Sequence, residues 1–205
     1  MPFIGAKPAT VPLTSADLED NIITSAKIVD GAIVNADINA SAAIAQSKLS
    51  GSFGITNAQQ WRITANFNGG VNPISSNWEE VDNKYSRIGS AMSVSSGVWT
   101  FPETGVWLIM FHARNLFTGT FAYYEPIITG TQDNSSYNTL ASSTTAGTNA
   151  STSQYRSACA IAVFDVNDTS LCKIKVRIAT DASVTTQGDT TTTLTGVTFI
   201  RLGDT

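Results

Sequence analysis

The run Val106-Trp107-Leu108-Ile109-Met110-Phe111 is apolar at every position and follows the turn-forming residues Pro102-Glu103-Thr104-Gly105. Its length suits a strand, and the alternation from Val98 to Phe101 predicts a second strand before the turn. Successive strand side chains point to opposite faces, so Val106, Leu108, Met110 and His112 form one row and Trp107, Ile109, Phe111 and Ala113 the other. An antiparallel domain normally leaves one face polar for water. Neither row is polar here, either would make a core face, and the spare one needs a cover. In a small sandwich another copy of the chain is the economical cover. Trp107, Ile109 and Phe111, with Phe199 from the last apolar run, are the candidate interface residues.

The stretch GVWTFPETGVWLIMFHARN, Gly97 to Asn115, and the closing TTLTGVTFIRLGD, Thr192 to Asp204, resemble the signature of the globular heads of the first complement component (subunit q) and of tumour necrosis factor. In that family a Gly-x-aromatic-x-x-Pro-x-x-Gly turn leads into an apolar central strand. The resemblance spans roughly residues 61 to 204 and rests on these two segments. It implies an all-β, ten-strand jelly-roll sandwich that associates as a homotrimer, with its inner sheet against the threefold axis.

Composition narrows the partners. With 42% hydrophobic and 14% charged residues the chain is expected to build a folded core. A formal charge of -4 and thinly spread Lys and Arg leave no basic patch, so nucleic acid is not an expected partner. No run approaches the ~20 apolar residues of a membrane span, so no membrane insertion is expected. The start lacks the apolar segment of a signal peptide, which predicts a chain made and folded in a cytoplasm. Cys159 and Cys172 have neither disulfide-framework nor metal-ligand spacing and are expected as buried free thiols.

Along the chain, residues 1–12, with Pro2, Pro8 and Pro12, read as an extended arm. Their opening, MPFIGAKPA, resembles the first residues of fibre-type proteins of phages of marine bacteria, in which this end faces the virion. That resemblance makes Pro2, Phe3 and Ile4 virion-anchor candidates. In residues 13–50, Leu13, Leu18, Ile23, Ile28, Ile33 and Ile38 recur every five residues, followed by Ile44 and Leu49. Five fits neither helix nor strand but suits a coil that turns a corner every five residues. The units are similar to pentapeptide repeats, yet the array is too short to bury its own apolar positions. Three copies forming a narrow stalk is the favoured reading, with Ile23, Ile28, Ile33 and Ile38 facing one another. A linker with accidental spacing, or short helices wound about the threefold axis, stay open. Residues 51–60, opening Gly51-Ser52-Phe53-Gly54, read as the hinge, and residues 61–205 as the head.

Strands are predicted near 60–67, 78–81, 85–94, 97–101, 105–114, 120–129, 154–166, 171–179 and 192–202. From Gly130 to Ser153 the sequence is mostly Ser, Thr, Asn, Ala and Gly and reads as a long loop.

Catalysis has no visible machinery. The single histidine, His112, lies in the apolar strand, and Glu79-Glu80 are adjacent and point to opposite faces. No enzyme activity, cofactor or metal is expected. Recognition of a glycan or protein surface uses Tyr, Ser, Asn and Gly, and Tyr123, Tyr124, Tyr137, Asn138, Gln154 and Tyr155 are the receptor-binding candidates. The competing reading packs Tyr123, Tyr124 and Tyr155 in the sheet. Together these observations predict a non-enzymatic, homotrimeric virion fibre of a bacterial virus. It would be held to other virion proteins by its N-terminus and bind a host surface glycan or protein through its head. The alternatives are a capsid- or neck-bound structural protein without receptor recognition, and a secreted cellular binding module.

Overall fold

A computed structural model describes residues 24–39, 41–44, 54–84, 87–181 and 184–205. Pro2, Phe3, Ile4 and Ile23, the arm 1–12 and the first hinge residues lie outside the described residues. The chain divides into two compact units, Met1–Ser50 and Gly51–Thr205.

In the first unit a backbone hydrogen bond closes a turn every five residues. Lys27 N donates to Thr24 O, Ala32 N to Val29 O, Asp37 N to Val34 O and Ala42 N to Asn39 O, at 2.8–2.9 Å. Two of these turns are single 3-10 turns, Ser25–Lys27 and Asn35–Asp37. Asp37 adds a side-chain bond from Val34 N at 2.9 Å, and Asn39 one from Ser41 N at 2.7 Å, the short-range bonding that favours these residues in turns. Ile28, Ile33, Ile38 and Ile44 remain exposed in the single chain.

The second unit is an all-β jelly roll. Its strands are β1 (Ala58–Ile63), β2 (Phe67–Asn68), β3 (Trp78–Glu80), β4 (Ser93–Ser95), β5 (Val98–Thr100), β6 (Gly105–Thr131), β7 (Asn138–Ser142), β8 (Thr145–Val166), β9 (Lys173–Thr180), β10 (Thr185–Thr186) and β11 (Gly196–Gly203). β6 belongs to both layers. Its first half pairs with β11 and β8, completing a layer ordered β3-β1-β11-β6-β8. Its second half pairs with β9 and β7, in a layer ordered β7-β6-β9-β5-β4. The separate strands expected at 105–114 and 120–129 are therefore one strand. It changes layer through register shifts around Gly119, whose φ of 85° is open to glycine at little cost.

Two further expectations are corrected. The loop expected from Gly130 to Ser153 is a hairpin, because β7 and the start of β8 occupy most of it. Its Thr, Ser and Ala residues suit a half-exposed pleat, and Leu140 packs against the core from β7. Among the described residues of the strand expected at 85–94, Ser93 and Val94 lie in a strand, Ser93–Ser95, and Ile88 makes an isolated bridge to Ala58.

The two layers meet through aromatic rings. Trp99 of β5 lies 5.2 Å from Trp61 of β1 and 5.1 Å from Phe199 of β11, and Phe101 lies 5.2 Å from Trp107. Trp107, Ile109, Phe111 and Phe199 are thus fully buried inside one chain, which corrects their assignment to the interface between copies. The larger side chains take the space between layers, where their area leaves water most completely. The outward row is Val106, Leu108, Met110 and His112, each half-buried. Across from it stand Val163 and Ile161 on β8, 62% and 57% exposed, and Ile200 on β11. The uncovered apolar face is real, but it is this row.

Candidate functional site

The six receptor-binding candidates fall in three environments. Tyr137 and Asn138 flank the β6–β7 turn. Asp133 organises that turn: its Oδ1 accepts from the Thr131 hydroxyl at 2.6 Å and from Ser136 N and Ser135 N at 2.7 and 2.8 Å. Asn134 takes the left-handed conformation, φ 56°, that its short polar side chain tolerates. The Thr131 hydroxyl first, then the Ser136 and Ser135 backbone, hold the Asp133 carboxyl well below the usual carboxylate range. Asp133, Ser136 and Asn138, with the apolar Leu140 and Phe164, line an open cavity of 340 Å³. Beside it the Lys175 ammonium sits 3.5 Å from the centre of the half-buried Tyr137 ring.

Tyr124 is not a surface residue. It is fully buried, its hydroxyl lies 2.9 Å from the Thr186 hydroxyl, and burial pushes its ionisation well above the usual tyrosine range. Its neighbour Tyr123 is exposed, with its amide bonded to the Asp181 carboxylate at 3.2 Å. Simple alternation does not separate the two: Ala122 and Tyr123 are both exposed at the register shift between Phe121 and Tyr124, after which Tyr124 turns inward.

Gln154 and Tyr155 lie on β8 opposite Phe117 and Leu116. Tyr155 is 50% exposed, and the Arg114 guanidinium stands 4.1 Å from its ring centre. Arg156 lies 5.4 Å from the Phe117 ring centre and donates to Gln154 Oε1 at 3.2 Å and to Tyr155 O at 2.9 Å. Neither arginine drew notice in the sequence, because only the register of β6 against β8 brings residue 114 beside residue 155.

These groups occupy opposite ends of the sandwich. The chain enters beside the start of β6: Arg201 N donates to Asn57 O at 2.9 Å, and Arg201 Nε to Thr104 O at 2.8 Å. The β6–β7 turn shares that end, since Gln132 Nε2 donates to Asp165 O at 3.0 Å, next to the Gly105–Val166 pair where β6 and β8 meet. Tyr123, Gln154 and Tyr155 lie at the far end. The Gly105–Val166 and Phe117–Gln154 pairs are separated by about 40 Å of strand at ~3.3 Å per residue.

His112 Nε2 lies 3.3 Å from Thr193 O, and among the described residues no three His, Cys, Asp or Glu side chains gather as metal ligands. The depressed carboxyls of Asp168 and Asp189 are explained by hydrogen bonds local to their turns, and that of Asp181 by the backbone amides of Ala122 and Tyr123 on β6. Cys159 and Cys172 are both free. Cys172 is buried, but Cys159 is exposed, a correction that follows from its place in the outward row opposite His112.

No protein-family model matches the sequence, and no curated protein matches it. Solved structures do. Eiger TNF from S. frugiperda superposes with a TM-score of 0.57 at 12% identity, over 72% of this chain and 93% of its own. Murine APRIL at pH 5.0 superposes with a TM-score of 0.51 at 15% identity, over 71% of this chain and 98% of its own. At such identity the likeness is one of fold, and it shows that residues 51–205 fold as a tumour necrosis factor-like jelly roll.

Proposed function

We propose that the chain is a non-enzymatic, homotrimeric fibre protein of a bacterial virus. It assembles in the host cytoplasm, joins other virion proteins by its N-terminal arm and binds a host surface glycan or protein through its head. The observation that carries the reading is the apolar row Leu108, Met110, Ile161, Val163 and Ile200, left open on one face of a single chain. A continuous apolar surface of this kind is a site of association. The five-residue turns support it, since their isoleucines also lie open and three copies would cover them. The tumour necrosis factor-like fold is compatible with a threefold arrangement that closes this face.

Within that reading the far end of the sandwich, with Tyr123, Gln154 and Tyr155, is the receptor-facing end. Tyr137 and Asn138 lie where the chain enters and are the weaker candidates. The test is competition: host cells incubated with the purified protein should lose the capacity to adsorb particles. Undiminished adsorption at saturating protein would favour a capsid- or neck-bound structural role.

A further inference from the structure

β7 and β8 are the edge strands of the two layers, and the open cavity of 340 Å³ beside the β6–β7 turn lies where these edges meet. Its floor is apolar. Gly130 of β6 is paired with Asn138 of β7, and an added Cβ at Gly130 would stand 2.6 Å from Leu140 Cδ1 and 3.2 Å from the Phe164 ring. Directly paired residues project to the same face, so the Asn138 side chain shares the face on which Leu140 and Phe164 lie. Glycine at 130 lets those two side chains close the floor.

The rim is polar and includes Gln132, Asp133, Ser136 and Asn138. Gln132 Nε2 ties it to β8 by donating to Asp165 O at 3.0 Å. Asp133 is fixed before any ligand arrives, because the Thr131 hydroxyl and the Ser135 and Ser136 amides all bond to Oδ1. None of the three occupies Oδ2. These bonds keep the carboxyl ionised, and among the described residues it has no ion-pair partner.

The lining selects among ligands. An apolar molecule would cover the Asp133 carboxylate without pairing it, which is costly, and an anion would meet its charge. A metal ion would find one carboxylate, and an organic cation would use Asp133 but leave Asn138 and Ser136 idle. A pyranose uses every part. Its hydroxyls donate to the carboxylate and both donate to and accept from the Asn138 amide and the Ser136 hydroxyl, while a C–H face packs on Leu140 and Phe164. The volume falls at the small end of the ~300–1,000 Å³ of small-molecule sites.

We propose that this cavity is a binding site for a neutral pyranose, with Asp133, Ser136 and Asn138 bonding its hydroxyls above the Leu140 and Phe164 floor. It lies at the opposite end of the head from Tyr123, Gln154 and Tyr155, and the inference does not rest on host attachment.

The test uses the full chain and saturation-transfer NMR, with affinities read by titration. Methyl glucoside, methyl mannoside and methyl galactoside are the neutral probes, methyl glucuronide the anion and butylammonium chloride the organic cation. At least one neutral pyranoside should bind, and more tightly than either charged probe. Asn138→Ala, and Asp133→Asn, which retains Oδ1 as an acceptor for the turn, should each weaken that binding at least fivefold at the wild-type melting temperature. Should Asp133→Asn lower the melting temperature, Asn138→Trp, whose ring would fill the cavity from an exposed position, should abolish binding on its own. No neutral pyranoside bound, equal binding by wild type and the folded variants, or tighter binding of butylammonium or the glucuronide would overturn the proposal.

Discussion

Gly119 and Gly147 lie on the paired β6 and β8, and each resists substitution for a different reason. At Gly119, φ is 85° and nothing lies within 4 Å of an added Cβ, so Gly119→Ala introduces backbone strain alone, about 1 to 2 kcal/mol. At Gly147 an added Cβ would run into the Phe117 ring and to within 2.5 Å of Phe121, and those rings pack edge to face at 4.6 Å. Gly147→Ala should therefore cost about 1 to 3 kcal/mol through overpacking. Chemical denaturation of both variants checks this, and partial relief when Phe117→Leu is added should appear only with Gly147→Ala. Titration acts at the same scale. Arg62 depresses Asp82 through a hydrogen bond, local turn bonds depress Asp133, Asp168 and Asp189, and the Ala122 and Tyr123 amides depress Asp181. A carboxyl depressed by folding adds stability above its unfolded value, about 4, and loses it as pH falls through the folded value. The melting temperature should therefore hold from pH 7 to 5 and fall progressively below pH 4. A melting temperature that rises on acidification would contradict these assignments. At this scale period-two logic holds from Val106 to Ala113, where half-buried and buried residues alternate, and fails past Phe117, where register shifts leave Ala122 and Tyr123 both exposed and Tyr124 inside.

Among the elements, the β7 hairpin departs furthest from its sequence. Asn134 to Gly147 falls within the stretch that reads as a long polar loop, yet it holds β7, the start of β8, Leu140 against the core and Gly147 against Phe117 and Phe121. Replacing Asn134 to Gly147 by a short Gly-Ser turn should therefore not leave stability unchanged. Loss of the Leu140 contacts alone suggests about 3 kcal/mol, or roughly 10 °C in midpoint for a domain of this size. Thermal melting by circular dichroism decides it, and an unshifted midpoint would show that the hairpin is dispensable. The hairpin was illegible because threonine- and serine-rich strands carry little hydrophobic alternation, and their pairing is set by partners distant in sequence. The five-residue spacing near the N-terminus was legible because each period closes its own turn, from Thr24–Lys27 to Asn39–Ala42, with no long-range partner needed.

For the whole molecule, the strand is apolar on both rows as its sequence shows, but which row faces inward is decided by the aromatic residues of the other layer. Trp99 and Phe101 pack with Trp107 and Phe199, leaving Leu108, Met110, Ile161 and Val163 on the outward face. Cys159, in the same outward row, tests whether a neighbouring copy covers this face. In a trimer closed on this face it should resist alkylation under native conditions, while in an isolated chain it should react; denaturation should expose Cys159 and Cys172 in either case. The most direct test of the account is the mass of the native protein, measured by light scattering at micromolar concentration after size-exclusion chromatography. The account predicts three times the 21.7 kDa of one chain, maintained on dilution, and a stable folded species of 21.7 kDa would contradict it.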